Sequence, residues 1–224
     1  MLSFDIRHHY VLSRQIAAHG NFSSFVMRCF EQTPRSFFLP PVETHKAYVE
    51  DFVPISSDRV GIMPLMGARL LQHLLPPVPE KNIMVVGGST GYLAALLSYY
   101  ASTVFLLESD DRFSSMAQAG LSALHIDNVV LCQGNLKEGL ARQGPFHFVV
   151  IEGGVESIPS CFFDQLTPEA LGIFACEASG SPHSPIGQMT RFWRDTQRVI
   201  NKEPLFEMPH YPLKEFSHPK KFEF

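Results

Sequence analysis

Between Asn82 and Leu107 the chain carries no charged side chain. An uncharged stretch of that length is either a membrane span, for which about 20 apolar residues suffice, or the buried centre of a globular sheet. The middle of the stretch decides between them. In "VVGGSTGYLAALL" a glycine-rich turn interrupts two apolar runs, the first rich in β-branched residues and the second in helix formers. Period and punctuation predict strand, loop, helix and strand, so no membrane association is expected.

The alternation continues downstream. "NIMVVGG" reads as a buried strand, and "GYLAALLSYYAS" as a helix with Leu93, Leu96, Leu97 and Tyr100 at helical spacing. "TVFLLES" is a second strand. "DDRFSSMAQAGLSAL" is a helix opened by an Asp cap and ended near Gly120 or His125. "NVVLCQG", "FHFVVIEGG" and "LGIFACEAS" supply three more strands. Strands that are apolar almost throughout belong to parallel sheets covered on both faces. The expected fold is therefore α/β, a doubly wound Rossmann-like sheet running from about Lys81 to Ser179. Upstream, "HYVLSRQIAAHG", "FSSFVMRCFEQ" and "MPLMGARLLQHLL" read as helices before the break "PPVPE". This divides the chain into a helical N-terminal extension, 1–80, and a sheet domain, 81–224. A late strand in "GQMTRFWRDTQRVI" is predicted to form a hairpin with "PLFEMP".

Composition narrows the function. Eighteen Lys+Arg against 22 Asp+Glu leave a formal charge of −4, which argues against nucleic acid as a partner. Only the tail "HPKKFEF" is locally basic, and it reads as a solvated end. Cys29, Cys132, Cys161 and Cys176 are scattered, without metal-ligand spacing. Cys132 and Cys176 lie in apolar runs and read as reduced core residues. The start "MLSFDIRHHY" lacks an apolar signal region, so a cytoplasmic location is expected. The ten histidines show no clustered spacing, and no metal is expected.

A strand that ends in glycines and feeds a helix lets backbone approach a ligand and presents unpaired N–H groups to it. Here Gly87, Ser89 and Gly91 give G-x-S-x-G rather than the strict dinucleotide pattern. Glu108 closes the next strand, near the distance where a ribose-binding acid is expected. No Lys or Arg occurs in the turn to face a triphosphate. A nucleoside without a dominant phosphate suits these residues, and S-adenosylmethionine is such a ligand.

With these motifs in order, the chain resembles the protein-L-isoaspartate O-methyltransferases. "RQIAAHGNFSSFVMRCFEQTPRSFFLPP" is similar to the family's N-terminal segment, and "AYVEDFVPI" and "MPLMGARLLQHL" to the stretch beyond that segment. "VVGGSTGYLAALLS" matches the cofactor turn, "VFLLES" the ribose strand, "DNVVLCQGNLKEG" the adenine segment and "FDQLTPEALGIF" a later phrase. The phrases "IEGGVESIP" and "PLKEF" look like a divergent bacterial branch. The resemblance implies methyl transfer from S-adenosylmethionine to the carboxylate of isoaspartate in damaged proteins, so the expected partner is a protein or peptide substrate. Such chemistry asks for alignment and exclusion of water more than for acid–base groups. The cofactor residues it implies are Gly87, Gly88, Ser89, Gly91, Tyr92, Glu108, Ser109, Asn135, Leu136 and Glu152.

The departures bear on catalysis. Where the family has a hydroxyl-bearing residue that orients the substrate carboxylate, "VGIMPLM" has Ile62, which donates no hydrogen bond. Ser56 and Ser57 lie just upstream, and Ser57 is the candidate replacement. Val85 stands for an acid at the first strand's end, Ser89 for a glycine, Asn135 for an aspartate and Leu136 for a glycine. His147, at a strand start, reads as a surface residue. Two function classes stay open: a methyltransferase of the isoaspartyl type, or a methyltransferase-fold protein with a degenerate site that binds without catalysis or serves another acceptor.

Overall fold

The computed structural model describes residues 12–178 and 186–217; the opening segment "MLSFDIRHHY" and the basic tail "HPKKFEF" lie outside them. Residues 12–18 are helical. There follow α1 (Ser24–Gln32), two short 3-10 turns (Arg35–Phe38 and Pro41–Lys46), the two-residue strands β1 (Val53–Pro54) and β2 (Val60–Gly61), and α2 (Pro64–His73). The sheet region then runs β3 (Val78–Val86), α3 (Tyr92–Leu97), β4 (Ala101–Glu108), α4 (Arg112–Ala123), β5 (Val129–Gln133) and β6 (Phe148–Val155). It ends with a 3-10 turn (Ser160–Gln165), β7 (Gly172–Ala178), β8 (Ile186–Arg194), β9 (Ile200–Pro209) and a last 3-10 turn (Lys214–Phe216).

The seven-stranded sheet has the order β5-β4-β3-β6-β7-β8-β9. The first five strands are parallel, and β8 and β9 are antiparallel. Connections run one way from β3 through β4 to β5 and the other way from β6 outward. The carboxyl tips of β3 and β6 therefore flank a switch point, where ligands of open α/β sheets bind.

Alternation along each strand separates two cores. Ile83, Val85, Phe148, Val150, Phe174 and Cys176 join the helices on one face, together with Leu12, Ile16, Phe30, Leu70 and Leu71 from the N-terminal part. Met84, Val86, Val149, Ile151, Ile173 and Ala175 face the other side. That side is closed by Leu136, Phe162, Phe163, Leu213 and Phe216, which come from loops and the last two 3-10 turns rather than from α-helices. Both faces are dry, which is why these strands read as unbroken apolar runs. The boundary at residue 80 does not divide the core, because N-terminal side chains share the first cluster with the sheet.

Several local expectations need correction. Asp111 makes no side-chain cap; Asp110 accepts instead from the Arg112 amide at 3.0 Å. The short side chain two residues back meets that donor first. Cys132 is only half-buried, because β5 is an edge strand whose Val130 is exposed. His147 is buried at the start of β6, with Nδ1 lacking a partner. The strand in "GQMTRFWRDTQRVI" stops at Arg194, where Asp195 turns the chain by accepting from the Gln197 and Val199 amides. The predicted hairpin is there, formed by β8 and β9.

Candidate active site

The turn after β3 is built to approach whatever lies above the strand tips. Gly87 has φ +71° and Ser89 φ +42°, in the left-handed region that serine seldom adopts. This bend turns the Ser89 amide toward Glu108, at the tip of β4, and the two meet at 3.1 Å. The carboxylate is held on both oxygens. Oε1 accepts from the Ser109 amide at 2.8 Å and from Ser109 Oγ at 3.2 Å. Adjacent to these, Arg59 donates from Nη2 to Oε1 at 3.1 Å and from Nε to Oε2 at 3.4 Å. A ribose would seek the same oxygens, so at this acid a guanidinium stands where two hydroxyls are expected.

Arg59 is delivered by the β1–β2 hairpin, whose turn is closed by the Ile55 and Ser56 amides donating to Arg59 O at 3.0 and 3.1 Å. Beneath the hairpin lies Arg35, fully buried, whose guanidinium donates to the carbonyls of Val49, Asp51, Gly61 and Ile62 at 2.8–3.2 Å. Burial pushes its pKa down, and Glu50 and Glu152 are among the groups that oppose the shift. Arg35 thus pins the whole segment from Val49 to Ile62. Arg59 reaches a second acid, Glu215, at 2.7 Å, which Ser109 Oγ also contacts at 3.0 Å. Burial acts to raise the Glu215 carboxyl, but the bond and charge of Arg59, the residue's own backbone and Ser109 together outweigh it and leave the pKa below its ordinary value.

The remaining expected residues fall into two groups. Gly87, Gly88, Ser89, Gly91, Glu108 and Ser109 form or adjoin the turn, and Glu152 joins them from β6: a Cβ on Gly88 would lie 3.3 Å from its Oε2. That oxygen is sealed from solvent and has no hydrogen-bond partner. Burial raises the Glu152 pKa to about 8, against a hydrogen bond from the Ile62 backbone and with the help of Glu108. Ile62 and Glu152 line one small cavity, and the Ile62 carbonyl is held by Arg35. The second group points elsewhere. Tyr92 is buried against Phe30 and Phe38. Asn135 is exposed and spends its amide on Lys137 and Glu138. Ser57 is exposed, and it is its carbonyl, not its hydroxyl, that accepts from Tyr211 at 3.2 Å. Leu136, by contrast, is fully buried in the second core beside the turn, its Cδ1 3.6 Å from where a Cβ on Gly87 would lie.

Sequence reasoning missed Arg35, Arg59, Leu213 and Glu215. A single arginine in a loop carries no periodic signal, and its partners lie 49 and 156 residues away. "PLKEF" was visible as a phrase, but its place was not.

The matching family model carries the description protein-L-isoaspartate(D-aspartate) O-methyltransferase (PCMT) and covers residues 7–177. The chain belongs to that family. A protein-L-isoaspartate O-methyltransferase of Idiomarina loihiensis is 31% identical over 155 residues, spanning 69% of this chain and 72% of that one. One from Colwellia psychrerythraea is 25% identical over 206 residues, 91% of each chain. Among solved structures, one described as a protein-L-isoaspartate O-methyltransferase of Plasmodium falciparum in complex with S-adenosyl-L-homocysteine superimposes with a TM-score of 0.76. It shares 18% identity, covers 92% of this chain and 98% of its own, and so speaks to the fold.

Within this family member the donor set suits an adenosyl ribose: a strand-tip carboxylate beside a glycine turn at the switch point. The space does not suit it. The gap among Ser89, Leu106, Glu108, Ser114, Ala117, Leu131 and Cys132 has a volume of about 0 Å³. The cavity among Asp58, Arg59, Val60, Ile62, Glu152, Gly153, Tyr211 and Leu213 measures about 30 Å³, enough for a water or two. Ligand pockets run to roughly 300 Å³ and above. In this arrangement the crevice is filled by the chain's own side chains.

Proposed function

We propose that this chain methylates the side-chain carboxylate of isoaspartyl residues in damaged proteins, with S-adenosylmethionine as methyl donor. The reading is carried by Glu108, fixed at the tip of β4 beside the Ser89 amide, in a chain whose family match spans residues 7–177. Its partner is a protein or peptide bearing isoaspartate. No helix among the described residues is long and apolar enough to cross a membrane. The described cysteines are all unpaired, in keeping with a reducing, cytoplasmic setting.

Binding the acceptor carboxylate falls to this chain's own groups. The Ile62 side chain offers no donor, and its backbone amide is spent on Glu152. The cavity beside it is lined by the Tyr211 hydroxyl, which donates to Ser57 O, by the Arg59 guanidinium and by the carboxyl of Glu152, which burial keeps protonated at neutral pH. A proton held on Glu152 removes the charge that would repel an acceptor carboxylate and supplies a hydrogen bond to it. Arg35 acts indirectly by holding Gly61 and Ile62 in place.

A second reading, a methyltransferase-fold protein without catalysis, is favoured by Ile62 and by the filled crevice. A methyl-acceptor assay with paired isoaspartyl and aspartyl peptides separates the two. Methylation of the isoaspartyl peptide alone is expected. No transfer to either peptide, together with no binding of S-adenosylhomocysteine by calorimetry, would leave only the second.

A further inference from the structure

Two phrases that are far apart in the sequence, "IEGGVESIP" and "PLKEF", form one physical unit. The Gly154 amide donates to Tyr211 O at 2.8 Å and the Leu213 amide donates to Gly154 O at 3.0 Å, so the segment runs as a short parallel rail beside the end of β6. Farther along, the Glu156 amide donates to Phe216 O at 3.3 Å. The glycines of the first phrase leave room for the second. Gly153 has φ +144°, and a Cβ there would lie 2.5 Å from Leu213 Cγ. At Gly154 a Cβ would meet the His210 ring at 2.9 Å, and at Gly87 it would meet Leu213 at 3.1 Å. Leu213 thereby seats over the cofactor turn itself, and Glu215 reaches past it to Arg59 and Ser109. Phe216 anchors the far end, 2% exposed and 6.3 Å from the Phe162 ring.

We propose that this strap, residues 210–216, is a gate: docked, its Leu213 and Glu215 hold the nucleoside's place between the tips of β3 and β4, and it lifts before the methyl donor enters. The proposal rests on the methyltransferase reading above. Contacts on both sides of the strap favour a reversible closure. Its docking is specific, since backbone bonds, a fitted leucine and an ion pair all agree. It also carries uncompensated groups, because both ring nitrogens of His210 and Glu215 Oε2 are buried without partners. Unpaired buried polar atoms favour release. Because docked molecules do not bind, the apparent affinity for a nucleoside is the intrinsic affinity multiplied by the fraction of molecules that are open.

Hydrogen exchange on the full chain, with and without S-adenosylhomocysteine, tests the gate, alongside calorimetry on the wild type and on a Leu213→Ala/Glu215→Gln variant. The Gly154, Glu156 and Leu213 amides are expected to be protected in the free chain and to lose protection when S-adenosylhomocysteine is added. The variant is expected to bind it about tenfold tighter or more, as closure is weakened. Binding with unchanged protection, or weaker binding by the variant, overturns the gate and leaves the methyltransferase reading standing. No binding by either protein overturns both, and the strap is then a permanent plug. If the variant does not fold, the exchange experiment on the wild type still decides.

Discussion

Replacing Glu152 with glutamine isolates a buried acid of the crevice whose Oε2 has no hydrogen-bond partner. Burial raises its pKa from the ordinary 4.5 to about 8, with Glu108 adding to the rise and Arg35 and Arg59 opposing it. Between those values the folded chain holds a proton that the unfolded chain releases. The stabilisation is complete below about pH 4.5 and is lost as pH climbs through 8. At about 1.4 kcal/mol per pH unit the full span corresponds to roughly 5 kcal/mol. The part of that span lying between pH 5 and pH 9 is roughly 4 kcal/mol. Glutamine has nearly the same shape and does not titrate. Urea unfolding of both proteins at about pH 5 and about pH 9 gives the comparison. The variant is expected to match the wild type at the acid end and to exceed it by that margin at the alkaline end. Parallel stability–pH curves would show that the carboxyl is solvated in the folded chain, and the protonated acceptor site would go with it.

Arg59→Ala leaves Glu108 buried at the tip of β4 without its cation, and a loss of about 3–5 kcal/mol in denaturant unfolding is expected; a change under about 1 kcal/mol would mean that solvent already reaches this pair. Arg35→Met removes the donors to four carbonyls, at Val49, Asp51, Gly61 and Ile62. With buried acceptors left unpaired, a loss of at least about 3 kcal/mol and faster proteolysis between residues 49 and 62 are expected. Gly153→Ala places a methyl group 2.5 Å from Leu213 Cγ at φ +144°. It should destabilise the chain by about 1–3 kcal/mol and raise amide exchange at Leu213, whereas unchanged exchange would refute the close seating of the strap.

The sheet was legible because its signals are local. An apolar run in "NIMVVGG" or "TVFLLES" registers burial on both faces residue by residue, and the glycine turn announces where backbone must bend. The edge strand β5 shows the limit of that signal: "VVLC" is as apolar as an interior strand, yet position at the sheet's rim leaves Val130 exposed. In the crevice, Glu108 could be placed from its distance to the turn. Arg59 could not, because nothing near residue 59 speaks of residues 108 or 215.

The order of strands and turns, the glycine bend and the acid at the second strand tip were set by the sequence alone, since each depends on neighbours within a few residues or on one fixed spacing. What occupies the crevice was decided only in three dimensions. Whether Glu108 faces a free space or a guanidinium depends on where the β1–β2 hairpin and the segment after β9 come to rest. Side-chain contacts between such remote segments are settled by packing against a common surface, and no period in the chain encodes them.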